Sequence, residues 1–210
     1  GYGLPTLLVM GNSESKGSWA RTYGERIGLF PNLVNGAWVR QIVADDVEFW
    51  TLPGYHDKAF IHQDSGCYYK PEQTESMRTN LKPSSTAPIA LVAHGPPACQ
   101  GKNGIDYILD KANVGDPGMT KLIQKVGIPF GLFGHILESG GRAVGNDFST
   151  VVAPGTSVAN LHINAGALSA DPWPLVDGST SYGLAMLISI DGSNASYQIK
   201  RFPARFEPTE

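Results

Sequence analysis

Three short apolar runs, each broken off by a polar group, constrain this chain more than any other feature. Thr6 to Met10 stops at Gly11-Asn12, Pro88 to Ala93 stops at His94-Gly95-Pro96-Pro97, and Ile128 to Phe133 stops at Gly134-His135. Apolar runs of this length, bounded by turn residues, read as buried strands. Two consecutive prolines cannot continue a strand ladder, so the chain must turn after Gly95.

The segments between these runs give a second layer of expectations. Ser18 to Gly28 reads as a helix. Val47 to Leu52 alternates and reads as a strand, with Lys58 to Gln63 pairing to it. Asp64 to Ala87 is polar without a period and reads as a long loop. Asn103 is a candidate cap for a helix to about Lys111. Asp116-Pro117 puts a capping carboxylate and an N1 proline at the start of a helix that runs to about Val126 and stops at Gly127. Short strands are expected near Val151 to Ala153 and Asn160 to Ile163. Tyr182 to Ile190 and Ser196 to Arg201 form a hairpin around Asp191-Gly192. Strands and helices alternate and then give way to a strand-rich end, which predicts a layered α/β fold built on two sheets. No internal repeat or linker divides residues 1–210, and they read as one domain.

Composition narrows the function classes. With 210 residues the chain is long enough for one domain with a sizeable core. A net charge of −3 and the lack of a basic stretch argue against nucleic acid as a partner. No apolar run approaches the roughly 18 residues of a membrane span. The first residues do not read as a signal peptide. Abundant Gly, Pro and Ser with only 17% charged residues suit a loop-rich fold, and favour an exported or periplasmic protein over a cytoplasmic one. Cys67 and Cys99 match no zinc or redox spacing; they form either one disulfide or two thiols. Asn194-Ala195-Ser196 is a glycosylation triplet only if the protein passes through a eukaryotic secretory route.

Asn12, His94 and His135 each stand at the end of an apolar strand. In layered α/β folds the carboxyl ends of strands are where distant loops converge into sites, so these three are the candidate ligating groups. Two imidazoles and an amide oxygen suit a borderline divalent ion such as zinc, manganese or iron. His56 and His62 read as ordinary loop residues, and His162, in an alternating run, as a candidate for the site side. Trp19, Trp38, Trp50 and Trp173 read mainly as packing residues.

The order of these groups resembles a known pattern. Leu7-Leu8-Val9-Met10-Gly11-Asn12-Ser13-Glu14 is similar to the Gly-Asn-His-Asp/Glu block of the calcineurin-like metallophosphoesterase family. Leu91-Val92-Ala93-His94-Gly95-Pro96-Pro97 is similar to its strand-terminal His block, and Phe133-Gly134-His135-Ile136-Leu137-Glu138 to its Gly-His-x-His block. The resemblance covers nearly the whole chain. It implies an αββα-type sandwich of two mixed sheets flanked by helices, and metal-dependent hydrolysis of a phosphomonoester or phosphodiester.

The departures fall in a pattern. The family's Asp-x-His and Gly-Asp-x-x-Asp blocks are not found in this sequence, so the sandwich is expected to lack its N-terminal strands. Ser13 stands where the family has the histidine that acts at the leaving group, and a serine hydroxyl is a poor proton donor near neutral pH. Leu137 stands where the second His of the last block belongs, and in extended geometry it faces the cleft beside His135, with Glu138 turned away. The family's two ions sit about 3.5 Å apart. By resemblance, one of the two half-sites keeps Asn12, His94 and His135 and the other keeps no ligand, so one ion at most is expected. The implied function is a phosphoesterase-type domain with a degraded dinuclear site. The alternative is an inactive phosphoesterase-fold scaffold that binds a protein partner. Either way, a partner chain or oligomer is expected to cover the face left by the missing strands.

Overall fold

The computed structural model describes residues 3–24, 29–63 and 65–204. In chain order the elements begin with β1 (Thr6–Leu8), α1 (Lys16–Trp19), β2 (Leu33–Asn35), β3 (Gln41–Ala44) and β4 (Val47–Leu52). They continue with α2 (Pro71–Asn80), β5 (Ile89–Ala93), α3 (Pro117–Val126), β6 (Phe130–Phe133), β7 (Arg142–Val144) and β8 (Leu161–Asn164). Two short strands, β9 (Trp173–Pro174) and β10 (Thr180–Ser181), precede the terminal pair β11 (Leu184–Asp191) and β12 (Asn194–Arg201).

The fold is mixed α/β around a six-stranded sheet in the order β3-β4-β5-β6-β8-β7. The four inner strands run parallel, and β3 and β7 close the two edges antiparallel. Period-2 alternation sends the inner-strand side chains to two apolar clusters. Trp50, Leu52, Leu91 and Phe133 pack with Met77 of α2 and with Met119, Leu122 and Ile123 of α3. Phe130, Leu161 and Ile163 pack instead with Ala195 and Tyr197 of β12, so the β11–β12 hairpin lies against the other face. Its register pairs Asp191 with Asn194 across the expected turn.

α3 follows its punctuation. Asp116 accepts a bond from Gly118 N at 2.7 Å, Pro117 occupies N1, and Gly127 ends the helix in the left-handed region at φ 76°. The second Asp116 oxygen takes the buried Tyr69 hydroxyl at 2.9 Å, which ties the helix start to the core.

Other expectations are corrected. Residues 64–87 are not all loop: α2 spans Pro71–Asn80 and buries only Thr74 and Met77, too narrow a stripe to show a period. Its start is marked by Pro71 and by the Gln73 side chain accepting from Lys70 N. Lys58–Phe60 is a 3-10 turn capped by Asp57, not a strand beside Val47–Leu52. Helix near Ser18 is one α-turn, α1, followed by π-helical Ala20–Gly24; residues 25–28 of that expectation lie outside the described residues. Asn103 to Lys111 is a set of turns, because the fully buried Asp106 carboxylate gathers Cys99 N, Asn113 Nδ2 and Gly115 N and winds the chain around itself. Near Val151 to Ala153 the pairing is a single bridge, Val151 to Val144. Of the two alternatives for Cys67 and Cys99, the structure has the pair of free thiols. Trp19 and Trp50 pack in the interior, whereas Trp38 and Trp173 are exposed. No helix among the described residues is long and apolar enough to cross a membrane.

Candidate metal centre

The carboxyl ends of β4, β5 and β6 lie side by side in the sheet, because the three strands are parallel neighbours. Each strand feeds an aromatic or imidazole side chain into the same space just beyond its end. β4 leads to Tyr55 and His56, β5 to His94, and β6 to His135. Asn12 arrives from outside this sheet. It follows β1, which among the described residues pairs with β2 alone, and Gly54 N donates to Met10 O at 2.8 Å to moor its loop beside the end of β4.

Three donor atoms meet there. His94 Nε2 lies 2.8 Å from Asn12 Oδ1 and 3.0 Å from His135 Nδ1. The amide orientation is fixed from behind: Asn12 Nδ2 donates to Phe60 O at 2.6 Å, which leaves Oδ1 as the atom facing the imidazoles. His135 sits at φ 64°, a left-handed conformation uncommon for a residue with a Cβ, in a turn closed across it by Ile136 N donating to Gly134 O at 2.8 Å. Behind it, the buried Asn164 amide donates to Ile136 O and Ile105 O, both at 2.8 Å.

Tyr55 forms the wall. Its ring is buried and lies 4.0 Å from His135 and 4.6 Å from His56, centroid to centroid, with His94 edge-on at 6.3 Å. Gly95 permits this approach, since a Cβ there would lie 2.5 Å from Tyr55 Cε2.

Burial favours the neutral form of His94 and His135, which is the form that ligates metals. Desolvation lowers the His94 pKa against an opposing pull from Glu14. Desolvation, then the neighbouring His94, His56 and His62, lowers His135 to about 4. Burial pushes the Tyr55 hydroxyl up, with Asp57 adding to the shift.

The other candidate residues fall elsewhere. Ser13 is exposed and lines a hollow with Glu14, Ser15, Ser18, Trp19 and Tyr23. Leu137 is not extended beside His135. The left-handed His135 ends the strand geometry, and Leu137 opens a 3-10 turn (Leu137–Ser139) and lines a hollow with Ala167, Ser169 and Trp173. His162 is fully buried within the sheet, between Phe148 at 5.0 Å and Phe133 at 6.4 Å, and is no cleft residue. Tyr55, His56 and Phe60 border the site although their sequence carried no motif. The one available signal was that β4 ends at Pro53-Gly54 just before them.

The donor set fits one divalent ion from one side. Two ring nitrogens and an amide oxygen are donor types suited to a borderline divalent ion, and His94 Nε2 stands within 3.0 Å of each of the other two. No group of three or more His, Cys, Asp or Glu side chains gathers into a metal site among the described residues, so the set depends on Asn12 as its third member.

No family model and no curated protein matches the chain. A solved crystal structure is similar at a TM-score of 0.54 and 19% identity, over 72% of this chain and 57% of that one. At that identity the likeness bears on the fold alone, and the match spans little more than half of the other chain's length.

Proposed function

We propose that this chain is a phosphoesterase-type domain of the calcineurin-like class, carrying one ion-binding half-site and acting on a phosphomonoester or phosphodiester. The observation that carries this reading is that His94 Nε2 lies 2.8 Å from Asn12 Oδ1 and 3.0 Å from His135 Nδ1. Their order along the chain is the order of the family's third, fourth and fifth blocks. Asn12, His94 and His135 would hold zinc, manganese or iron, which would supply Lewis-acid polarisation of a phosphoryl oxygen. The chain's own contribution is to hold three neutral donors in place, with Tyr55 excluding water from one side of His135. On this reading the six-stranded sheet and the β11–β12 hairpin are parts of the family's two-sheet sandwich.

With one half-site and no bridging carboxylate, the chain alone is expected to hydrolyse p-nitrophenyl phosphate esters at background rates. A robust metal-dependent rate abolished by His94→Ala contradicts that expectation.

A scaffold role is the second reading. Leu137 favours it, because the position offers no lone pair and its side chain belongs to another hollow. A covering chain belongs to both readings. Leu4, Leu29, Phe30 and Val43 are exposed apolar side chains, and Leu7, Val34, Ile42 and Phe49 line an apolar groove between β1–β2 and the sheet. Light scattering on the purified protein tests this: a dimer or heteromer is expected, and a stable monomer at high concentration contradicts it.

A further inference from the structure

Glu14 stands beside the half-site without being one of its donors. Its Oε2 accepts from Gly11 N at 2.9 Å, which closes the loop that carries Asn12. A Cβ placed on Gly11 would lie 2.9 Å from His94 Cε1, 3.0 Å from His94 Nδ1 and 3.1 Å from Glu14 Oε2. The carboxylate and the Nδ1–Cε1 part of the His94 ring therefore flank one small space above Gly11, which only a residue without a side chain leaves open.

The opposite edge of the ring faces the cluster. His94 Nε2 lies 2.8 Å from Asn12 Oδ1, an amide oxygen that can only accept, and the donation of Nδ2 to Phe60 O fixes that atom toward the ring. In the ion-free protein this favours the tautomer with the proton on Nε2, donating to Asn12. A ligating Nε2 must instead present its lone pair, which requires the proton on Nδ1. Metal-bound imidazoles almost always give that second N–H to a carboxylate, carbonyl or water.

We propose that Glu14 is a positioning residue whose carboxylate accepts a hydrogen bond from Nδ1–H of His94 in the ion-loaded protein, so that metal binding switches His94 from the Nε2–H to the Nδ1–H tautomer. The inference rests on the half-site reading. The switch is proton-neutral: one proton leaves Nε2, one joins Nδ1, exchanged through solvent, and the ring stays uncharged. Glu14 thereby also places a negative charge near a donor set that has none.

The test combines zinc titration calorimetry with ¹⁵N-histidine NMR on the unaltered chain, Glu14→Gln and Glu14→Ala. Gln keeps an oxygen for Gly11 N and nearly the same shape, so a merely structural role predicts that it rescues. The proposal predicts that Gln does not rescue: its neutral amide oxygen still serves Gly11 N but is a weaker acceptor for Nδ1–H and carries no charge, so zinc binding weakens on the order of 10-fold, and by at least as much with Ala. In the zinc-loaded unaltered chain, the His94 ¹⁵N pattern is that of the Nδ1–H form. Unchanged affinity in Glu14→Gln, or a zinc-loaded His94 protonated on Nε2, overturns this proposal and leaves the half-site standing. Failure of the unaltered chain to bind zinc overturns the half-site and this proposal together.

Discussion

The Asn12 side-chain amide donates to the Phe60 carbonyl at 2.6 Å across 48 residues of sequence, and that bond decides which of its atoms faces His94. The approach of Asn12 Oδ1 to His94 is thus set by a 3-10 turn that touches neither imidazole through a hydrogen bond. Asn12→Ala is expected to weaken zinc binding at least roughly 10-fold and to cost about 1–2 kcal/mol of stability, since the Phe60 carbonyl loses a partly buried donor. Calorimetry and urea unfolding check the two effects separately.

Tyr55 and Gly95 form a second linked pair. A methyl at residue 95 meets Tyr55 Cε2 at 2.5 Å, and the Tyr55 ring is in turn packed 4.0 Å from His135. Gly95→Ala should therefore cost about 1–3 kcal/mol as an overpacking change and displace the His135 ring. Urea unfolding gives the cost, and the change in the His135 ring proton shift reports the displacement.

His162 makes the fold sensitive to acid. It is fully buried, and neither ring nitrogen has a hydrogen-bond partner among the described residues. Burial lowers its pKa from 6.5 to about 4. The unfolded chain therefore binds the proton first, and stability present above pH 6.5 is lost as pH falls toward 4. A shift of this size corresponds to at most about 3 kcal/mol, and His135 adds in the same direction. The melting temperature is expected to drop over that window, and His162→Leu should flatten the slope. An equal slope in the variant contradicts the assignment.

Asp116 joins the helix cap to the core, because its two oxygens serve Gly118 N and the Tyr69 hydroxyl. Asp116→Ala removes the cap and leaves a buried phenol unpaired. A loss of about 2–4 kcal/mol is expected in chemical denaturation. Tyr69→Phe in the same background should recover part of it, since the orphaned hydroxyl is then gone.

The parts of the fold that could be read from sequence were those with local causes. α3 carries Asp116, Pro117 and Gly127 at its ends, and β5 and β6 are short apolar runs cut off by Pro or Gly. α2 was hidden because it buries Thr74 and Met77 alone, so its pattern looks like polar loop. The turns around Asp106 were misread as helix because a buried carboxylate collecting three donors is a tertiary arrangement, with no periodic trace. The site divides in the same way. Asn12, His94 and His135 stand at strand ends and could be picked out individually, whereas Tyr55 and Phe60 enter only through the parallel pairing of β4 with β5 and the tie from Asn12. The expectation for Leu137 failed at one residue: it assumed an extended His135, and the chain turns left-handed there.

Whether these three donors hold an ion is tested most directly by titrating zinc into the metal-stripped chain, alongside His94→Ala and His135→Ala. One zinc per chain is expected in the unaltered protein, with binding lost in both variants while their far-ultraviolet circular dichroism is unchanged. No saturable binding by the unaltered protein, or equal binding by the two variants, contradicts the account.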